Sequence, residues 1–211
     1  MDQFDAIDII HETRSLVLTT REFAALGNIS ITFASQTLRR LAAKERLTRL
    51  YQGLWADMRN PGFNVYKAVP FLTRPHPAAV SLLSALHLHG MIEQIPQVVY
   101  VVSTAPTRKI RTPIGTYSIH QIAPALFQGY DYYRDEGDFL IASPEKALVD
   151  CLYFSIRKGK RFGFFPELTL PKGFSRRLAN DWVKKIPYER LRSAVRDRLE
   201  RVFQRKTISL S

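Results

Sequence analysis

The stretch TTREFAALGNISITFASQTLRRLAAKERLTRLYQGLWA, residues 19–56, decides the reading of this chain. Thr19 stands three residues ahead of Glu22, just before an apolar run. At that spacing the hydroxyl and the carboxylate each satisfy a backbone donor that a helix start leaves unpaired, so a helix begins there. It is short, about Thr20 to Leu26, and Gly27-Asn28 ends it. From about Thr32 to Lys44 the pattern is helical again, with Ala34, Leu38, Leu41 and Ala42 on one stripe at i, i+4, i+7 and i+8. That stripe is the face a helix buries. Opposite it stand Thr32, Gln36, Arg39 and Arg40, with Lys44 at the flank and a single acid, Glu45, nearby. Leu47-Thr48-Arg49-Leu50 and Leu54-Trp55-Ala56 read as two short strands, and Gly53 in their connection supplies the positive φ of a tight hairpin.

Upstream, Phe4, Ile7, Ile10 and His11 recur at helical spacing, with Asp2, Asp5 and Asp8 suited to the positive end of a helix. The order helix–helix–helix–hairpin is that of a winged helix-turn-helix, expected over residues 1–58. In that arrangement the third helix lies in the major groove and the wing touches the backbone beside it. The expected partner is double-stranded DNA. Glutamine pairs bidentately with adenine and arginine with guanine, which suits Gln36, Arg39 and Arg40 to base edges, with Thr32 a further DNA-binding candidate on the same face. Lys44 and Arg49 are suited to phosphates, which position without reading sequence.

Downstream, residues 57–70 read as a connector broken at Asn60-Pro61-Gly62. A second, mixed α/β domain is expected over residues 71–211, giving an α+β chain with a basic helical C-terminal tail. Its helices are expected from Pro77 to His89, where Gly90 stops the first, and from Pro144 to about Phe154 behind the N-cap Ser143. Val98–Val102 is a continuous β-branched and aromatic run, the pattern of a central strand. Thr107–Pro113 and Thr116–Ile122 read as paired strands, and a further hairpin is expected across residues 135–138. From Ser175 two helices broken at Pro187 follow, the second with the apolar stripe Leu191, Val195, Leu199, Val202 and Phe203.

Composition narrows the class. The chain has 211 residues, 45% hydrophobic and 24% charged, the balance of a globular protein. Residues 151–211 hold 16 basic and 5 acidic side chains, so +11 of the net +12 lies there. Segregated charge of this kind suits phosphate contacts beside the winged unit or an acidic protein surface; its bland counterpart is a solvated basic helix. No basic n-region precedes an apolar run, and no apolar stretch approaches the roughly 18 residues of a membrane span, so a cytoplasmic protein is expected. Cys151 is the only cysteine, which leaves no intramolecular disulfide and no cysteine-based zinc site. His87 and His89 lie two apart, on different sides of a helix, so no metal is expected there. Asp138, Glu145, Lys146 and Asp150 contain a nuclease's residue types, but Lys146 directly follows Glu145, so those two side chains diverge. No phosphate loop or nucleophile elbow is present; neither an enzyme nor a cofactor is expected.

Leu38-Arg39-Arg40-Leu41 through Leu47–Trp55 resembles the N-terminal winged domain of the AbiEi antitoxins. The middle of the chain is similar to the same family through Ser84–Gly90, Gln94-Ile95-Pro96, Val98–Ser103 and Ser143–Asp150. The resemblance covers about residues 15–155 and implies an operon autorepressor acting at inverted repeats. It also implies a second domain that neutralises a toxin of the nucleotidyltransferase type, without a stable complex being required. The alternative is a stand-alone transcriptional regulator whose second domain senses a ligand or a protein.

Overall fold

The computed structural model describes residues 6, 9–10, 16–133, 139–157 and 167–207. Most of the helix expected around Phe4–His11, and the hairpin expected across residues 135–138, lie outside them. Ala6, Ile9 and Ile10 are helical, and Ala6 and Ile10 are buried in the smaller of two cores.

Strand β1, Val17–Thr19, leads directly into helix α1, Thr20–Leu26. The Thr19 hydroxyl accepts from the Glu22 backbone N–H at 3.1 Å, and the Glu22 carboxylate accepts from the Thr19 N–H at 2.7 Å. Helix α2, Ile31–Ala43, starts where the Ser30 hydroxyl accepts from the Phe33 N–H at 3.2 Å. Strands β2, Thr48–Tyr51, and β3, Leu54–Ala56, form the expected hairpin, with Gly53 at φ +68°. The hairpin belongs to a three-stranded antiparallel sheet of order β1-β3-β2. One face, through Leu18, Leu47 and Trp55, packs on Phe23, Ala24, Ala34, Leu38 and Leu41. The other, through Val17, Leu50, Leu54 and Ala56, belongs to the larger core of the chain.

The connector expected over 57–70 is irregular only in its first part. Val65–Ala68 forms a 3-10 turn and Val69–Leu72 a short helix, α3. The Asn64 side chain starts that turn by accepting from the Tyr66 and Lys67 N–H groups, and Ala68, Val69 and Leu72 are buried in the larger core.

The second sheet has six strands: β4 Ala78–Val80, β5 Val99–Ser103, β6 Arg108–Thr112, β7 Gly115–Gln121, β8 Tyr130–Tyr132 and β9 Leu140–Ala142. Their order is β6-β7-β5-β4-β9-β8, with β5 between parallel β7 and antiparallel β4. This corrects the helix expected from Pro77 to His89. Its first turn is β4, hydrogen-bonded to β5 on one side and β9 on the other, and the helix proper, α4, spans Leu82–Leu88. Two ladders and complete burial of Ala79 and Val80 outweigh the helical preference of alanine. Helix α5, Pro144–Arg157, follows β9, and the Ser143 hydroxyl accepts from the Lys146 N–H at 3.2 Å. Helices α6, Arg176–Lys184, and α7, Glu189–Thr207, pack on it. Val195, Leu199 and Phe203 are buried, while Leu191 and Val202 are half-buried. The stripe therefore docks as its spacing predicts. The described residues form a mixed α/β architecture.

Candidate functional site

Successive residues on an α-helix step by about 100°. On α2 this groups Ala34, Leu38 and Leu41 on one side, and all three are buried. Thr32, Gln36, Arg39 and Arg40 take the opposite side, and all four are exposed. Among the described residues no carboxylate pairs with Arg39 or Arg40. Their guanidinium groups stand in solvent, with Arg40 in the last turn, where a cation suits the negative end of the helix. Lys44 caps the C-terminus of α2 and is also exposed.

Arg49 projects from a different element, β2, and is exposed. It faces Trp55 across the ladder, with its guanidinium carbon 5.8 Å from the indole centroid. Trp55 is itself fixed: it is 2% exposed, and its indole N–H donates to the Thr20 hydroxyl at 2.9 Å. The hairpin turn is tied to the same place, since the Thr20 N–H donates to the Gly53 carbonyl at 2.9 Å. Tyr51 and Gln52, at the turn, are exposed. The structure therefore brings Thr32, Gln36, Arg39 and Arg40 onto one face, with Lys44 at the end of that helix and Arg49 on the neighbouring hairpin.

Sequence reasoning did not single out Arg46, which is exposed just beyond Lys44, although it continues the same basic run. Nor did it find the exposed apolar side chains Leu26, Ile31 and Phe33 around the α1–α2 turn; stripe counting marks what is buried and is silent on the rest. A further tie joins the small unit to the large one. Arg74 pairs with Glu22 at 2.7 Å and its guanidinium lies over the Phe71 ring at 4.3 Å. Burial works to raise the Glu22 pKa, but hydrogen bonds from Arg74 and Thr19 outweigh it and hold the carboxyl below its ordinary value.

The residues weighed for nuclease chemistry have other partners. The Glu145 carboxylate accepts from the Ser175 N–H at 2.8 Å and the Ser143 hydroxyl at 3.1 Å, which ties the start of α6 to the start of α5. Lys146 and Asp150 form a buried ion pair one turn apart. Asp150 also accepts from the Ser81 hydroxyl at 2.8 Å and the Tyr130 hydroxyl at 3.0 Å. Burial first, and the Asp150 charge second, push the Tyr130 hydroxyl pKa well up. Asp138 lies outside the described residues. His89 Nε2 lies 2.7 Å from the Ala142 carbonyl, and no group of three or more His, Cys, Asp or Glu gathers among the described residues. No helix among them is long and apolar enough to cross a membrane.

No protein-family model matches this chain, and no curated protein matches it.

Proposed function

We propose that the N-terminal unit is a winged helix-turn-helix that binds double-stranded DNA, and that the chain is a transcriptional autorepressor. The observation that carries this reading is the outward face of α2, where Thr32, Gln36, Arg39 and Arg40 are exposed opposite a buried stripe. In the proposed complex Gln36, Arg39 and Arg40 read base edges, and Lys44 and Arg49 hold phosphates. An inverted-repeat operator is the proposed site. Arg39→Ala combined with Arg40→Ala should abolish binding to the operon's own promoter fragment in a gel shift while the melting temperature holds. Unchanged affinity in the folded double variant refutes the recognition-helix assignment.

The antitoxin role is the second part of the proposal and is supported by the resemblance of residues 15–155 to the AbiEi antitoxins. The proposed functional partner is a nucleotidyltransferase-type toxin encoded by the adjacent gene. Co-expression tests it: the neighbour alone should arrest growth, and this chain should restore it. A harmless neighbour, or no rescue, refutes the antitoxin role and leaves a stand-alone regulator.

A further inference from the structure

Helix α2 opens with Ile31-Thr32-Phe33, and Phe33 is 37% exposed although its ring is wholly apolar. Steps of about 100° place Phe33 about 60° from Gln36 and about 20° from Arg40 around the helix. Phe33, Gln36 and Arg40 thus form one outward stripe, spaced i, i+3 and i+7. Ile31, also exposed, lies about 200° round from Phe33 and does not share that stripe. Phe33 belongs to neither hydrophobic core, yet its backbone is anchored, because its N–H donates to the Ser30 hydroxyl at 3.2 Å. An aromatic ring is therefore presented among polar and cationic side chains from a fixed turn.

The charge around that ring suits a polyanion. A helix start normally gains from an acid in its first turn, and α1 has Glu22 there. The first turn of α2 has none, so no carboxylate beside Phe33 on its own helix repels phosphate, while Arg39, Arg40 and Lys44 follow along the helix. A phenylalanine ring cannot read the hydrogen-bonding edges of bases. The major groove offers it one apolar feature, the C5-methyl group of thymine. Residues at the start of a recognition helix are the ones that reach base edges.

We propose that Phe33 is a specificity residue that packs on the C5-methyl group of a thymine in the bound duplex. The proposal rests on the DNA-binding reading of α2. Three residues of about 1.5 Å rise separate Phe33 from Gln36 by about 4.5 Å along the helix, close to the roughly 3.4 Å step between bases. The thymine accordingly lies within about two base pairs of the position that Gln36 reads.

The probe is the footprinted segment of the operon's own promoter, as a set of duplexes in which each thymine in turn is replaced by deoxyuridine. Deoxyuridine pairs as thymine does and lacks only the methyl group. One replacement per half-site should weaken the parent by about fourfold, the worth of one buried methyl, near the base pair at which Gln36→Ala loses discrimination. Phe33→Ala should bind thymine and uracil duplexes equally at that position, Phe33→Leu should keep most of the preference, and both should melt with the parent. A parent that binds every uracil duplex as it binds the thymine one overturns the assignment, and this scan needs no variant. So does a Phe33→Ala variant that keeps the full thymine preference, or one that weakens all duplexes alike while sedimenting as a smaller species, which places Phe33 between two copies of the chain. If the parent binds and Arg39→Ala with Arg40→Ala abolishes binding, such a result strikes Phe33 alone; a parent that binds no promoter duplex overturns the DNA-binding reading and this assignment together.

Discussion

Lys44→Ala combined with Arg49→Ala should make DNA binding less sensitive to salt without changing which sequence is preferred. Each phosphate contact contributes about 0.9 to the slope of log affinity against log salt, so losing two flattens that slope by about 1.8. Raising salt from about 50 to 200 mM is a fourfold change, and four to the power 1.8 is about 12. The double variant should therefore lose roughly 12-fold less affinity than the parent over that interval. Side effects are bounded by the structure. Arg49 rests 5.8 Å from the Trp55 centroid, so its truncation removes one exposed cation–π contact. That contact is worth about 0.5–1 kcal/mol, well short of unfolding a domain. Lys44 contributes its backbone N–H to the end of α2, which alanine keeps. Fluorescence anisotropy on a labelled promoter duplex at four salt concentrations reads the slope, and urea melts run beside it control for folding. Gln36→Ala is the opposing control: about 1–3 kcal/mol of discrimination should vanish at one base pair with the slope unchanged. An unaltered slope in the double variant, or a shifted slope in Gln36→Ala, refutes the division between positioning and reading.

Other outcomes follow from single contacts. Because the folded-state pKa of Glu22 is depressed, its contribution is present above the ordinary value of 4.5 and is lost as pH falls below it through the lower, folded value. The stability gap between the parent and Glu22→Gln, measured by urea at about pH 7, should close across that acid window; a gap that persists below it contradicts the pairing. Gly129→Ala places a Cβ within 2.5 Å of the Trp182 ring at a residue with φ +77°, and should cost about 1–3 kcal/mol in thermal melts. An unchanged melting temperature would falsify that packing. Cys151 is fully buried, and burial first, then the Asp150 charge, pushes its thiol pKa well up. Iodoacetamide at about pH 8 should leave it unmodified in the native chain and label it readily in denaturant. Rapid labelling of the native chain rules this out.

Much of the small unit is legible because its signals are local. Thr19 and Glu22 are three apart, Ala34, Leu38 and Leu41 lie within two turns, and Gly53 sits in the turn it makes possible. Strand β1 is not legible, since three residues show no alternation and its partner is distant in sequence, with Val17 opposite Ala56. Strand β4 fails for a different reason. Ala78-Ala79-Val80 carries local preferences that favour a helix, and only its two neighbouring strands, neither visible locally, decide otherwise. The site divides the same way. The outward face of α2 follows from helical spacing, and so does the meeting of Lys146 with Asp150, four apart on one helix. The burial of that pair does not, because it depends on Ser81 and Tyr130 arriving from other strands and turns.

That non-local packing also bears on how the outward face of α2 is presented. The small sheet is covered on both sides: Leu18, Leu47 and Trp55 face the helices, whereas Val17, Leu50, Leu54 and Ala56 belong to the larger core. Burying a valine or leucine side chain contributes about 1.5–3 kcal/mol, as an upper figure. Val17, Leu50 and Leu54 together then contribute on the order of 5–9 kcal/mol to joining the two units, within the range of a whole domain's stability. The Glu22–Arg74 pair adds little energy at its exposed position, but it fixes direction, because Glu22 also caps α1. Helix α2 is thus carried on a sheet that belongs to the large unit as much as to the small one. Two copies meeting through their large units would set the separation of their two α2 faces through packed side chains, with no linker to average it. On the proposed DNA-binding reading, such a body would suit an inverted repeat with one fixed half-site spacing.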